Sequence, residues 1–414
     1  MEQGQSLVGL FLLTVLAWLV SENRRAFPWK LVVGGIALQF ALAVPLLYLP
    51  ASRQFFLLLN EGVLAIQEAT QAGTSFVFGY LGGGKLPFVE TTPGGSFILA
   101  LQALPLVLVF SAISSLLFYW RVLPWIIRGI STLLEKGMGI GGAVGLSTAM
   151  NIFVGMVEAP LFIRPYLLNM SRAELFAVMV GGMASIAGTV MALYAIFLAK
   201  VIPDAMGHLL IASIMSAPAA LTIAFIMIPQ QAHSTAGRLL PPTTATSTMD
   251  AISLGVRDGV QLLIQIIAML LVYVALVSLA NSLLSLFPQI AGEAITLQRI
   301  LGWLAAPLTW LMGIPWQEAH TAGALMGTKT ILNEFIAYLN MSQLPAEALS
   351  PRSRLILTYG LCGFANLGSL GIMIGGMGEM VPERRQEIVA LGMRSILAGT
   401  LATCMTGAVV GVLI

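Results

Sequence analysis

Two carboxylates stand where a carboxylate is expensive. Glu158 lies in Gly155-Met156-Val157-Glu158-Ala159-Pro160-Leu161, and Glu334 in Lys329-Thr330-Ile331-Leu332-Asn333-Glu334-Phe335-Ile336. Each is the lone acid of an apolar stretch. A charged side chain at the centre of a bilayer costs about 2.5–3.5 kcal/mol on insertion scales, so it persists there when it has a partner or a task. An ionised carboxylate accepts hydrogen bonds from hydroxyls and ring N–H groups. The bland alternative is a Glu paired with an Arg or a hydroxyl to fix packing. Matching positions in two halves of the chain argue against it. Asn151, Ser185, Asn366 and Ser369 form a second group. A polar side chain in a span often only glues helices together. These four sit at a hairpin tip or at the Gly-rich interruptions Gly181-Gly182-Met183-Ala184-Ser185-Ile186-Ala187-Gly188-Thr189 and Gly363-Phe364-Ala365-Asn366-Leu367-Gly368-Ser369. A sodium ion takes several hard oxygens, many of them backbone carbonyls freed where a helix unwinds.

The elements that position these groups follow from composition. The 414 residues are 58% hydrophobic and only 9% charged, against about 25% charged in soluble domains. With a mean hydropathy of +0.92, lipid is the solvent for much of the chain. The net charge of +2 points to no nucleic-acid partner. Cys362 and Cys404 lie in apolar runs and read as buried hydrophobes rather than a disulfide. His208, His233 and His320 lie near span ends and form no proton relay or metal cluster. Arg394, inside the last span, and Lys329, near the second tip, read as structural partners of groups the sequence does not identify.

Eight spans are expected near 5–21, 31–49, 97–119, 174–200, 207–229, 260–287, 354–380 and 388–413. Each reaches the roughly 20 residues a membrane helix needs. Glu2 precedes the first apolar run and Arg24, Arg25 and Lys30 follow it, so that run reads as a retained span rather than a cleaved signal. Placing both termini outside puts twelve basic residues on the cytoplasmic side against six outside, as the positive-inside rule asks. This holds only if the broken stretches 139–168 and 301–340 enter and leave on one side. They are expected to be re-entrant hairpins, one from each face. Each is followed by a long span interrupted at its middle. The halves therefore form an inverted repeat, the sequence pointer to a transport site near the midplane. Residues 52–80 read as an interfacial helix, followed by a Gly/Pro-rich loop through Gly82, Gly83, Gly84, Pro93, Gly94 and Gly95. The polar stretch 230–250 reads as a cytoplasmic linker.

These residues carry a resemblance. The tip at Gly155–Leu161, the break Ala184-Ser185-Ile186-Ala187-Gly188, the tip Asn333-Glu334-Phe335 and the stretch Gly363–Ser369 together resemble the concentrative nucleoside transporter family, over nearly the whole chain. The resemblance implies a secondary active transporter, not an enzyme, that imports nucleosides by sodium symport across a bacterial inner membrane. It implies a homotrimer in which a scaffold carries an elevator-type transport domain holding both hairpins and both broken helices. The expected division is 1–135 for the N-terminal spans and scaffold, 136–229 for the first repeat with its break near 181–189, 230–290 for the linker and a long scaffold span, and 291–414 for the second repeat with its break near 363–371.

By position, Met156, Val157, Glu158 and Val190 are implied at the base. Glu334, Asn366 and Ser369, with Phe364 near the ligand, are implied at the ribose. Asn151, Val154, Ser185 and Ile186 are implied at sodium, the last two partly through carbonyls. Many members carry Gln-Thr or Gln-Ser where this chain has Met156-Val157. Purine-preferring members resemble it in the Gly155-Met156 of the tip and at Thr189-Val190, so a purine leaning is expected. Proton coupling, with Glu158 titrating, is the nearer alternative. A membrane-embedded enzyme is the more distant one, since the sequence offers it no nucleophile–base pair. An anionic substrate is disfavoured by the two Glu residues.

Overall fold

A computed structural model describes residues 2–90, 95–230, 235, 237, 245–289, 292 and 294–414. Among them the chain is helical throughout. In hydrocarbon every backbone N–H and C=O must be satisfied within its own segment, which favours helices. In chain order these are α1 Glu2–Leu19, α2 Trp29–Tyr48, α3 Pro50–Phe78, α4 Leu99–Gln102, α5 Leu106–Tyr119, α6 Val122–Met138, α7 Gly142–Met150, α8 Glu158–Leu161, α9 Arg164–Leu167, α10 Arg172–Ala184, α11 Gly188–Leu198, α12 Ala205–Met227, α13 Thr248–Leu284, α14 Leu297–Leu311, α15 Trp316–Ile331, α16 Glu334–Gln343, α17 Pro351–Leu361, α18 Leu367–Met380 and α19 Arg385–Leu413. Six helical stretches in the described residues are long and apolar enough to cross a membrane, and Gln3–Leu19 is a shorter apolar helix. The remaining expected span, 354–380, is divided into α17 and α18.

Several boundaries differ from expectation. The span expected at 260–287 begins at Thr248, because Ser247 caps it by accepting the Asp250 N–H at 3.2 Å. The first interruption is narrower than 181–189. Helix α10 runs through Gly181 to Ala184, and only residues 185–187 are unwound. The second covers 362–366, so Ser369 lies inside α18. The stretch 301–340 is three helices rather than one hairpin. Gly313, with φ of 103°, and the following Ile314-Pro315 turn the chain between α14 and α15. The hairpin proper is α15–α16. Most of the expected linker, including His233, and Pro93 with Gly94 of the loop, lie outside the described residues.

A repeat is visible as element order. An amphipathic helix, α6 or α14, leads into a hairpin, α7–α9 or α15–α16. A broken helix, α10–α11 or α17–α18, and a long buried helix, α12 or α19, complete each copy. Helices α10, α12 and α19 are buried almost along their length. Helix α13 buries only Ala251, Gly255 and Gly259. There α5 approaches closely, and the Ser115 hydroxyl donates to the Ala251 carbonyl at 2.7 Å.

Candidate functional site

The two interruptions touch. The Phe364 N–H, in the break between α17 and α18, donates to the Ser185 carbonyl, in the break between α10 and α11, at 3.1 Å. The approach is close enough that a Cβ on Gly363 would lie 2.9 Å from the Met183 carbonyl oxygen. Four helix ends therefore converge. Helices α10 and α17 bring carbonyls without intrahelical partners and a partial negative charge. Helices α11 and α18 bring unpaired N–H groups and a partial positive charge. Such a point can hold a cation on one side and a polar solute on the other.

Glu334 reaches this point as the first residue of α16. Asn333 caps that helix, its Oδ1 accepting the Ile336 N–H at 2.9 Å. The Glu334 carboxylate is 4% exposed. Its Oε1 accepts from the Tyr194 hydroxyl at 2.8 Å and its Oε2 from the Asn366 amide at 3.1 Å. Asn366 in turn caps α18, its Oδ1 accepting the Ser369 N–H at 2.7 Å. Glu334, Asn366 and Ser369 are thus one connected group, with half-buried Phe364 two residues before Asn366. Sequence reasoning missed Tyr194. It sits one turn after Val190 on the same face of α11, and that i, i+4 spacing was the available signal.

The two lone carboxylates, matched in sequence, differ in surroundings. Glu158 opens α8 with its carboxylate turned over Gly155 and is exposed within the chain, whereas Glu334 is enclosed. Met156 packs against Gly182, where a Cβ would meet its own Cβ at 2.8 Å, and beside Met373. Val157 lies over Gly376 of α18. The first tip is thereby seated between the two broken helices.

The remaining residues gather at the carbonyl end of α10. Asn151 is 1% exposed, and neither atom of its amide has a partner among the described residues. It faces Gly181, where a Cβ would lie 3.5 Å from its amide nitrogen. Ser185 Oγ donates to the Gly181 carbonyl at 2.8 Å. The Phe153 carbonyl accepts the Gly188 N–H at 3.1 Å, which pins the tip beside Val154 to the break that holds Ile186. These are neutral oxygens, the donor type that suits a hard alkali cation. No group of three or more His, Cys, Asp or Glu is placed to hold a metal among the described residues.

The two unexplained cations have structural partners. Lys329 is fully buried, and its Nζ donates to the Gly360 carbonyl at 2.8 Å and to Thr403 Oγ1 at 3.0 Å. It caps the end of α17 just before the break. Arg394 is exposed and pairs with Glu22, so it does not reach the interior.

Comparison with known proteins bears on this geometry. Residues 208–411 match the family described as "Na+ dependent nucleoside transporter C-terminus", residues 8–81 its N-terminal counterpart, and residues 100–201 the family described as "Nucleoside recognition". The nucleoside permease NupC of Helicobacter pylori is 37% identical, covering 99% of this chain and 97% of that protein. Sodium/nucleoside cotransporter 1 of Mus musculus is 33% identical over 100% of this chain and 64% of its own length. Among solved structures, CNTnw in an inward-facing substrate-bound state aligns with a TM-score of 0.89 at 36% identity, covering 99% of this chain and 98% of that one. A doubly substituted CNTnw in an outward-facing state aligns at 0.91, with 36% identity over 100% and 97%.

Proposed function

The chain belongs to the sodium-dependent, concentrative nucleoside transporter family, and from that premise we propose that it imports nucleosides by sodium symport across a bacterial inner membrane. It is a membrane transporter and not an enzyme. The observation that carries the reading is the group of Glu334, Tyr194 and Asn366 beside the meeting of two unwound helices. Each oxygen of Glu334 has a lone pair beyond the bond it already accepts, which suits the paired hydroxyls of a ribose. Asn366 and Ser369 flank them, with Phe364 beside the sugar. Met156, Val157, Glu158 and Val190 face the base. The apolar Met156-Val157 pair favours a purine, whose larger ring gains about 25 cal/mol per Å² of contact. Sodium is held by Asn151, Val154, Ser185 and Ile186, supported by the unpartnered Asn151 amide at a carbonyl-rich helix end.

The chain works as a homotrimer through an elevator-type movement of the two repeats against a scaffold, with both termini periplasmic. The mostly exposed apolar length of α13 supports a scaffold role, since it leaves a long face for another copy or for lipid. Purified protein in liposomes tests the function directly. Uptake of radiolabelled uridine and adenosine is expected under an inward sodium gradient and is expected to collapse when choline replaces sodium at fixed pH. Adenosine is expected to compete the better of the two. Uptake that follows a proton gradient without sodium assigns the coupling to Glu158 instead and sinks the sodium reading.

A further inference from the structure

We propose that Thr148 supplies a further oxygen to the cation site and sets how that site ranks alkali ions. The inference rests on the sodium reading of Asn151 and Ser185 and extends it to a residue outside that set.

Buried threonines in helices ordinarily satisfy their hydroxyl on the carbonyl four residues back. This chain follows the rule at Thr70, Thr222, Thr328, Thr358 and Thr406, which donate to Ile66, Pro218, Ala324, Arg354 and Ala402 at 2.7–3.1 Å. Thr148, in α7, does not. Its side chain is 1% exposed, yet its Oγ1 has no hydrogen-bond partner among the described residues. A buried polar atom without a partner calls for an explanation, and a bound ion or water is one.

The direction of the hydroxyl supplies that explanation. Thr148 lies in the last turn of α7, and Asn151, three positions on, is the residue that caps the end of that helix. Both point at Gly181 of α10, where a Cβ would lie 3.4 Å from Thr148 Oγ1 and 3.5 Å from the Asn151 amide nitrogen. Two unpartnered polar groups at the end of one helix therefore converge on one glycine of another. That spot lies in the last turn of α10, whose carbonyls lack intrahelical partners because the helix ends at Ala184. A hydroxyl, an amide and helix-end carbonyls make an oxygen cage with partial negative charge. No hydrogen bond fixes the orientation of the Asn151 amide, so either end can face the cage.

The test compares Thr148→Val, which keeps the shape and removes the oxygen, with Thr148→Ser, which keeps the oxygen. Nucleoside uptake is measured in liposomes against sodium and, separately, lithium, with choline as the balancing cation. Thr148→Val is expected to raise half-saturating sodium by about tenfold, the range seen when a metal site loses one supporting group. It is also expected to change the lithium-to-sodium ratio, which a general loosening of the fold would leave alone. Nucleoside affinity at saturating sodium is expected to hold, and Thr148→Ser to restore sodium dependence. Should Thr148→Val fail to assemble, Thr148→Cys replaces the hard oxygen with sulfur at small volume and is expected to show the same loss. Parent-like sodium dependence and an unchanged ion ratio in an assembled Thr148→Val or Thr148→Cys protein overturn the proposal while leaving the sodium reading intact. A parent protein without sodium dependence overturns both.

Discussion

The Glu334 carboxylate is held by Tyr194 and Asn366, one on each oxygen. Those bonds hold the carboxylate still and leave its other lone pairs to accept. Glu334→Gln keeps the shape but loses charge assistance, worth about 1.5–3 kcal/mol per bond. Transport is expected to fall by about ten- to a hundredfold at each bond lost, with the protein still assembling, as size-exclusion and uptake measurements will check. Tyr194→Phe removes one neutral-donor bond and is expected to raise the nucleoside KM by roughly fivefold, for a contact worth about 1 kcal/mol. Wild-type kinetics in Tyr194→Phe would show that the hydroxyl does not position Glu334. The lone acids Glu158 and Glu334 were legible because a carboxylate in an apolar run is conspicuous. Their unequal surroundings were not, because sequence pattern reports neighbours along the chain. Lys329 shows the same limit: its partners, Gly360 and Thr403, lie 31 and 74 residues away.

The elements that carry the site are joined by glycines that a Cβ would force apart. At Gly363 the obstacle is backbone, the Met183 carbonyl at 2.9 Å, so the crowding cannot be relieved by a rotamer change. Gly363→Ala is expected to separate the two breaks, lower the melting temperature and reduce uptake severely. Gly371→Ala, with nothing within 4 Å of the added methyl, is the control and is expected to be tolerated. Comparable melting curves for the two variants would mean the breaks need not touch. An ionic tie holds other elements. In the loop after α1, Glu22 accepts from Arg172 of α10 at 3.0 Å and also pairs with Arg394 of α19. The Arg172 hydrogen bond holds the Glu22 carboxyl below its ordinary value of 4.5. A depressed carboxylate stabilises the fold above that ordinary value and loses its contribution as pH falls through the folded one. The tie is partly exposed and worth up to about 1 kcal/mol. Thermal melts in detergent are expected to show Glu22→Gln slightly less stable at pH 7 and equal to the parent in acid below the folded value. The hairpin tips and breaks were readable from Gly and Asn positions. The separation of α14 from its hairpin was missed because 301–340 reads as one apolar stretch, although Gly313-Ile314-Pro315 marks the turn.

Across the whole molecule, packing suggests where a moving part would divide from a fixed one. The expected line at residue 135 puts α1 and α2 with the scaffold. Helix α1 is instead stitched into the second repeat. A Cβ on Gly9 would collide with the Leu311 carbonyl, and Ser6 sits against Gly313 and Gly411. Arg352 donates to the Gly313 and Gly411 carbonyls, both at 2.7 Å. Gly35 of α2 rests on Thr222 of α12. Interfaces this close do not slide without loss of packing, because cores have the density of crystals. Helices α5 and α13, by contrast, pack chiefly on each other. Helix α13 meets the site at Gly368, which lies beneath its Tyr273 and Met269, and α5 rests against α11. The boundary we favour therefore runs between the α5–α13 pair and everything that α1, α2 and the two repeats hold together. Cross-linking decides between the lines. A Ser6→Cys, Gly411→Cys pair joined by a disulfide is expected to leave uptake near the parent level, since both residues travel together. A Tyr273→Cys, Gly368→Cys pair closed by a short bifunctional thiol reagent is expected to stop uptake. The native Cys362 and Cys404 are buried and leave the reagent its engineered targets. If the first cross-link blocks transport and its reduction restores it, α1 stays with the scaffold and the division at 135 stands.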